Sequence, residues 1–277
     1  MTIRELELQA VQTRKDLLTM IHHANTGHTG GSLSSADIMT ALYYEVLAID
    51  PQNPHWKDRD YFILSKGHCV EGYLAVLATR GFFPKEELKT FSQFKSRLIG
   101  HPNNEIPGIE MNTGALGHGL SISVGIALGL KKNKINNLVF VLMGDGEQGE
   151  VSIWEAAMAG SHYKLDNLVA IIDRNHLQIS GTTEDVMNLE PFAERWGAFG
   201  WDVREIDGNN MKEIVSCLNN TPFKKGKPSL IIAHTIKGKG VTEMENLAKW
   251  HHGVPNSKQF ASAMDQLDRL EKELTHA

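Results

Sequence analysis

Two apolar runs, Leu138 to Met143 and Leu168 to Ile172, each lead into a polar residue, and those residues, Asp145 and Asn175, stand thirty positions apart. Short runs of Val, Ile and Leu read as strands buried on both faces. Between them, Ser152 to Tyr163 has helical character. Strand, helix and strand in that order form a parallel pair, with the crossover helix covering one face. Gly144-Asp145-Gly146 and Asp173-Arg174-Asn175 then emerge side by side at the carboxyl edge of the sheet, where open α/β sheets hold their ligands. A carboxylate and an amide oxygen placed there suit a hard cation that keeps positions open for phosphate oxygens. The spacing suggests a magnesium–diphosphate site, although Gly-Asp-Gly is also a common turn and Asp-x-Asn can cap a loop.

The remaining pattern fits one domain over residues 1–277, built as a doubly wound, mostly parallel sheet with helices on both faces. Ile3 to Ala24 reads as a helix, and Thr26 to Gly31 as too glycine-rich to continue it. Ser34 or Ser35 can cap a helix carrying Ile38, Leu42, Val46 and Leu47. Tyr61 to Leu64 reads as a strand leading through Ser65-Lys66-Gly67-His68 into a helix ending near Arg80. Ser92 to Asn112, with Pro102 and Pro107, reads as a long surface loop. Gly114 to Gly119 opens a helix through Leu130, and Arg174 to Asn188 is a second loop. A short helix near Pro191 to Phe199, a strand at Trp201 to Ile206, a helix at Met211 to Leu218 and a strand at Ser229 to Ala233 follow. The tail from Ser257 puts Phe260, Met264, Leu267, Leu270 and Leu274 on one helical stripe.

Net charge is −5, with no long basic run, which argues against nucleic acid as a partner. Nothing approaches eighteen uninterrupted apolar residues, and no apolar signal segment opens the chain, so no membrane partner is expected. Cys69 and Cys217 are too few for a disulfide framework or a zinc site, and a reducing cytoplasm fits best.

Four histidines fall in loops: His28 in Gly-His-Thr-Gly-Gly, His68 in Ser-Lys-Gly-His, His101 in Gly-His-Pro and His252 in His-His-Gly-Val-Pro. Each can donate to a phosphate oxygen or relay a proton near neutral pH, and each can equally be a turn residue with a backbone partner. His22 and His23 read as solvated helix residues. Gly114 to Gly119 allows close backbone approach to a ligand, or tight helix packing. Glu155 can close a capping box with Ser152 or serve the site. Lys237 and Lys239 either close over a site or are solvated, and for Lys239 the solvated reading is preferred.

Gly-Asp-Gly followed some thirty residues later by Asn resembles the thiamine diphosphate motif, and the surrounding sequence resembles the N-terminal half of transketolase. The resemblance implies a thiamine diphosphate-binding fold. It makes Asp145, Asn175 and the carbonyl of Leu177 ligands of Mg2+, or of Ca2+ or Mn2+ in its place. It puts Gly144, Asp145, Gly146, Asn175, His68 and His252 at the cofactor, with Gly114 and Leu116 beside its rings. It gives catalytic, substrate-facing roles to His28, His101 and His252. Glu150 matches a glutamate near the family's subunit interface, while His118 stands where many transketolases have glutamine. The glutamate that activates the cofactor belongs to a following pyrimidine-binding domain, which lies beyond this sequence. The expectation is therefore an N-terminal transketolase subunit that moves two-carbon ketol units between sugars or sugar phosphates, in the pentose phosphate pathway or a dedicated catabolic one. A partner chain would supply the pyrimidine-binding domain in a heterotetramer of two pairs. The alternatives are a related synthase or 2-oxo acid decarboxylating enzyme, and a non-catalytic subunit for cofactor binding and assembly.

Overall fold

The computed structural model describes residues 1–276. Helix α1 (Ile3–Ala24) starts on a capping box, the Glu5 N–H donating to Thr2 Oγ1 at 3.2 Å and the Thr2 N–H to Glu5 Oε2 at 2.7 Å. These reciprocal bonds satisfy donors that a helix start leaves open. In α2 (Thr29–Ser34) the structure departs from the sequence reading. All six residues are buried, and backbone hidden from water must bond to itself, so the glycine-rich stretch is helical. A Cβ on Gly30 would stand 2.8 Å from the Trp250 carbonyl oxygen, so only glycine lets the helix approach this closely. Neither serine caps α3 (Ala36–Ala41). Ser34 Oγ donates to Asp173 Oδ2 at 2.6 Å and Ser35 Oγ to Gly31 O at 2.8 Å, both spent on tertiary or backward contacts.

A π-helical turn, Leu42–Val46, extends α3. Strand β1 (Tyr61–Leu64) leads into α4 (Val70–Arg80). Then α5 (His118–Lys132), β2 (Val139–Gly144), α6 (Val151–His162) and β3 (Leu168–Arg174) follow, the last three making the expected crossover unit. The segment read as a second loop contains a hairpin, β4 (Leu177–Gln178) with β5 (Gly181–Thr182), and a helical turn, α7 (Thr183–Val186). After these come α8 (Phe192–Ala198), β6 (Asp202–Asp207), α9 (Met211–Asn219), β7 (Ser229–His234) and α10 (Ser257–His276). The Ser152–Glu155 capping box does not form. Helix α6 begins a residue earlier, with Glu150 at the cap position and no side-chain bond.

Five strands pair in parallel in the order β1-β2-β3-β7-β6. Alternate residues serve opposite faces. Phe140, Leu142, Val169 and Ile171 pack with residues of α1, α3, α4 and α9, whereas Val139, Val141, Ala170 and Ile172 pack with α5, α6 and α8. Both faces are thus covered, as a doubly wound sheet requires. The expected irregular stretch from Ser92 to Asn112 is more than surface: Leu98, Ile106 and Ile109 are buried in the core. Helix α10 lies along α1 through Ala263 and Leu267, flanked by Phe260, Leu270 and Leu274, while Met264 is only half-buried. Lys15 pins this contact, 2.7 Å from Glu271 and 2.6 Å from Asp268. No helix among the described residues is long and apolar enough to cross a membrane.

Candidate active site

The carboxyl ends of β1, β2, β3 and β7 release Ser65–His68, Asp145–Glu147, Asn175–Leu177 and Thr235–Lys237 along one edge of the sheet. Gly144 pairs with Asp173, and the Asp145 N–H donates to Asp173 O at 3.3 Å, so the two polar turns are direct neighbours. The Asp145 carboxylate is buried. It accepts from Gly146 N at 2.8 Å and His176 N at 2.6 Å, with Arg174 Nη1 at 3.4 Å. Burial, and then the nearby Asp173 charge, push its pKa up to about 6. Asn175 Oδ1 accepts from Leu177 N at 3.2 Å, and its Nδ2 donates to Asp173 Oδ2 at 3.2 Å. The Leu177 carbonyl accepts from Lys237 Nζ at 3.2 Å. The turn after β2 that carries Asp145 therefore lies against the turn after β3 that carries Asn175 and Leu177, joined through the His176 N–H.

Beneath them lies an ion pair that sequence reading missed. Asp173 is fully buried and accepts from Lys66, Ser34, Thr235 and Asn175. Burial alone would raise its pKa, but the Lys66 charge and the hydrogen bonds from Lys66, Ser34 and Thr235 together outweigh burial and lower it. Glu147 was missed as well. Its carboxylate is buried and accepts from Gly117 N at 2.8 Å, Gly144 N at 2.9 Å and the Ser65 hydroxyl. It ties the turn before α5 to the end of β2. Both residues directly adjoin a strand-end motif, which was the available signal.

On the opposite side the loop histidines converge. The His28 ring lies 4.6 Å from His252, 5.1 Å from His68 and 5.7 Å from His251, centroid to centroid. His251, passed over in favour of its neighbour, also lies 5.2 Å from His68, with Nδ1 3.4 Å from Lys237 Nζ. Lys237 is almost wholly buried, which excludes the solvated reading. Burial, then neighbouring imidazoles, holds the His28 pKa down at about 4. Burial with Lys237 holds His251 at about 4, and burial with Lys66 holds His68 at about 2. These rings are neutral near pH 7, each offering one N–H donor and one acceptor.

His101 stands apart from this cluster, exposed, with its ring against Gly114. A Cβ on that glycine would come within 3.0 Å of His101 Cδ2. Gly114 has a φ of 156° and Gly117 a φ of 82°, so the turn that presents Leu116 needs both glycines. His118 is exposed, its Nδ1 3.2 Å from Leu116 O. Glu150 is exposed, and His22 is not simply solvated: its ring stacks on Phe260 at 4.4 Å.

The family model described as transketolase, thiamine diphosphate binding domain, matches residues 7–267. The chain is 52% identical over 277 residues to a subunit of the apulose-4-phosphate transketolase of Phocaeicola vulgatus, covering 99% of each. It is 41% identical over 266 residues to 6-deoxy-6-sulfo-D-fructose transketolase subunit SqwG of Clostridium sp. strain MSTE9, covering 96% of this chain and 97% of that one. Among solved structures it matches the transketolase of Campylobacter jejuni with a TM-score of 0.87 and 32% identity, over 100% of this chain and 48% of that one. The chain thus spans about half the length of that transketolase, but nearly all of the two relatives named as subunits.

Proposed function

Because the chain belongs to the transketolase family, through its thiamine diphosphate-binding domain, we propose that it is the diphosphate-binding subunit of a two-chain transketolase. The observation that carries this reading is the full-length match to proteins named as transketolase subunits, set against the half-length match to a complete transketolase. The chain would act as one domain, with a partner chain contributing the pyrimidine-binding domain and two such pairs forming a heterotetramer. Its substrates would be sugars bearing a phosphate or a sulfonate, in line with the apulose 4-phosphate and 6-deoxy-6-sulfo-D-fructose in the names of those relatives. Cys69 and Cys217 are unpaired thiols, which supports a reducing, cytoplasmic location.

The donors fit a magnesium diphosphate. Asp145, Asn175 and the Leu177 carbonyl all offer oxygen, which suits Mg2+ or, in its place, Ca2+ or Mn2+. Lys237 already brings an ammonium to the Leu177 carbonyl, which supports this as a cation-tolerant position. Thiamine diphosphate, when bound, would supply the acidic carbon and the electron sink that ketol transfer needs. Around it Asp145, Asn175 and Leu177 hold the metal, Gly144, Gly146 and His68 border the diphosphate, and Gly114 and Leu116 line the rings. His28, His101 and His252 face the sugar, and His251 joins them from the loop that carries His252.

The test is reconstitution with the chain that co-purifies from the native source. The pair transfers ketol groups in the presence of thiamine diphosphate and magnesium, and this chain alone does not. Robust turnover by the isolated chain would remove the two-chain reading, and an inactive pair would remove the activity. Asp145→Ala lowers metal-dependent cofactor binding by about 100-fold or more, as loss of a ligand should exceed loss of its supporting shell. Cofactor titration by tryptophan fluorescence reads this, and undiminished binding would sink the metal role.

A further inference from the structure

Glu71, in the first turn of α4, is completely buried and makes no ion pair among the described residues. A carboxylate in that state is retained only where its hydrogen bonds matter. Both bonds go to the segment that carries His28. Glu71 Oε1 accepts from the His28 backbone N–H at 2.8 Å, and Oε2 accepts from Ser32 Oγ at 2.9 Å, one turn into α2. The chain is pressed onto the carboxylate here. Gly27 has a φ of 153°, and a Cβ on it would lie 2.8 Å from Glu71 Oε1 and 2.6 Å from Ile21 Cγ1. On its other side the same segment is bridged to Gly253. His28 pairs with Gly253 in a parallel β-bridge, and Thr29 Oγ1 donates to Gly253 O at 2.5 Å.

We propose that Glu71 is a positioning residue for the substrate side of the site, setting the His28 ring against His252 through the His28 backbone N–H. It touches neither Asp145, Asn175 nor Leu177, whose hydrogen bonds all go elsewhere. Its removal therefore separates sugar recognition from cofactor binding. The inference rests on the transketolase reading above. Failure of the wild-type pair to turn over any ketose strikes that reading. A turning-over wild type with insensitive variants strikes only the role of Glu71.

In the reconstituted pair, Glu71→Met fills the same space without an acceptor and raises the ketose KM about 10-fold. Glu71→Gln keeps an amide oxygen for the His28 N–H and stays within about twofold of wild type. Thiamine diphosphate affinity of the isolated chain changes less than twofold in both, measured by fluorescence titration, which a general loss of structure would not allow. Should Glu71→Met fail to fold, Ser32→Ala decides the matter. It frees one carboxylate oxygen and raises KM two- to fivefold with cofactor affinity retained. A KM that stays within twofold of wild type in the decisive variant, or cofactor affinity that falls in parallel with KM, overturns the proposal.

Discussion

The two sides of this site are built on opposite electrostatic plans. At the proposed diphosphate end, charges are matched: buried Lys66 with buried Asp173, and buried Arg174 with buried Asp145 and with Glu184 and Glu190 at the surface. On the proposed sugar side, half-buried imidazoles are held neutral by burial, by neighbouring imidazoles and by the charges of Lys66 and Lys237. A diphosphate held there would call for fixed charges, which a rigid sheet edge can hold in register. A sugar hydroxyl needs donors and acceptors without net charge, and loops can supply those. The contrast predicts that substitutions of buried charges on the first side change stability strongly, and that the second side shows smaller effects, confined to acid pH.

The largest effect belongs to Lys66→Met. It leaves Asp173 buried among hydroxyl and amide donors without its cation. Breaking one half of a buried pair costs about 3–5 kcal/mol. Urea unfolding should show a loss of that size, with Lys66→Met/Asp173→Asn recovering part of it. A loss under about 1 kcal/mol, the range of an exposed pair, would erase the distinction between the two sides.

Next comes Asp145. Its folded pKa of about 6 lies above the ordinary carboxylate value, so the folded chain binds this proton more tightly than the unfolded one. Stability therefore falls as pH rises from about 4 to about 6, and the cost is fully present above that window. Asp145→Asn should stabilise the metal-free chain at pH 8 by about 1–3 kcal/mol, and have little effect at pH 4. The same variant should abolish stabilisation by magnesium and cofactor. Thermal unfolding at the two pH values, with and without the ligands, checks both halves. Equal effects at pH 4 and pH 8 would show that charge is not what strains this position.

Legibility in the sequence divides along the same line. The sheet edge was readable because Asp145 and Asn175 follow continuous apolar runs, and strand ends locate their polar neighbours without any tertiary knowledge. The same logic extends to Asp173 and Glu147, one or two residues from named positions, but burial was needed to reveal their roles. The histidine face is assembled from segments as distant as residues 28 and 252, joined by a bridge that no local pattern encodes. Choosing His252 over His251 from the adjacent pair was beyond sequence spacing, since both reach the cluster. The helix at Thr29 was missed for a related reason. Glycine-rich backbone becomes helical only when buried, and what buries it includes Trp250 and Lys237, more than 200 residues away.

The smallest effect is also the one that sets the two sides against each other most directly. His28 and His251 have folded pKa values of about 4, below the unfolded value near 6.5. Their neutral forms favour the fold above pH 6.5, and that contribution is lost as pH falls from 6.5 through about 4. This is the reverse of Asp145, whose cost grows as pH rises over nearly the same range. His251→Gln keeps a donor and an acceptor but cannot take up a proton. It should remove about 1 kcal/mol of acid-induced destabilisation between pH 6.5 and pH 4, a figure discounted because the ring retains some solvent contact. At pH 8 its stability should match wild type. Urea midpoints across this pH range decide the question. An unchanged acid slope in His251→Gln would mean that the ring is already solvated in its charged form, and that the neutral face does not depend on burial.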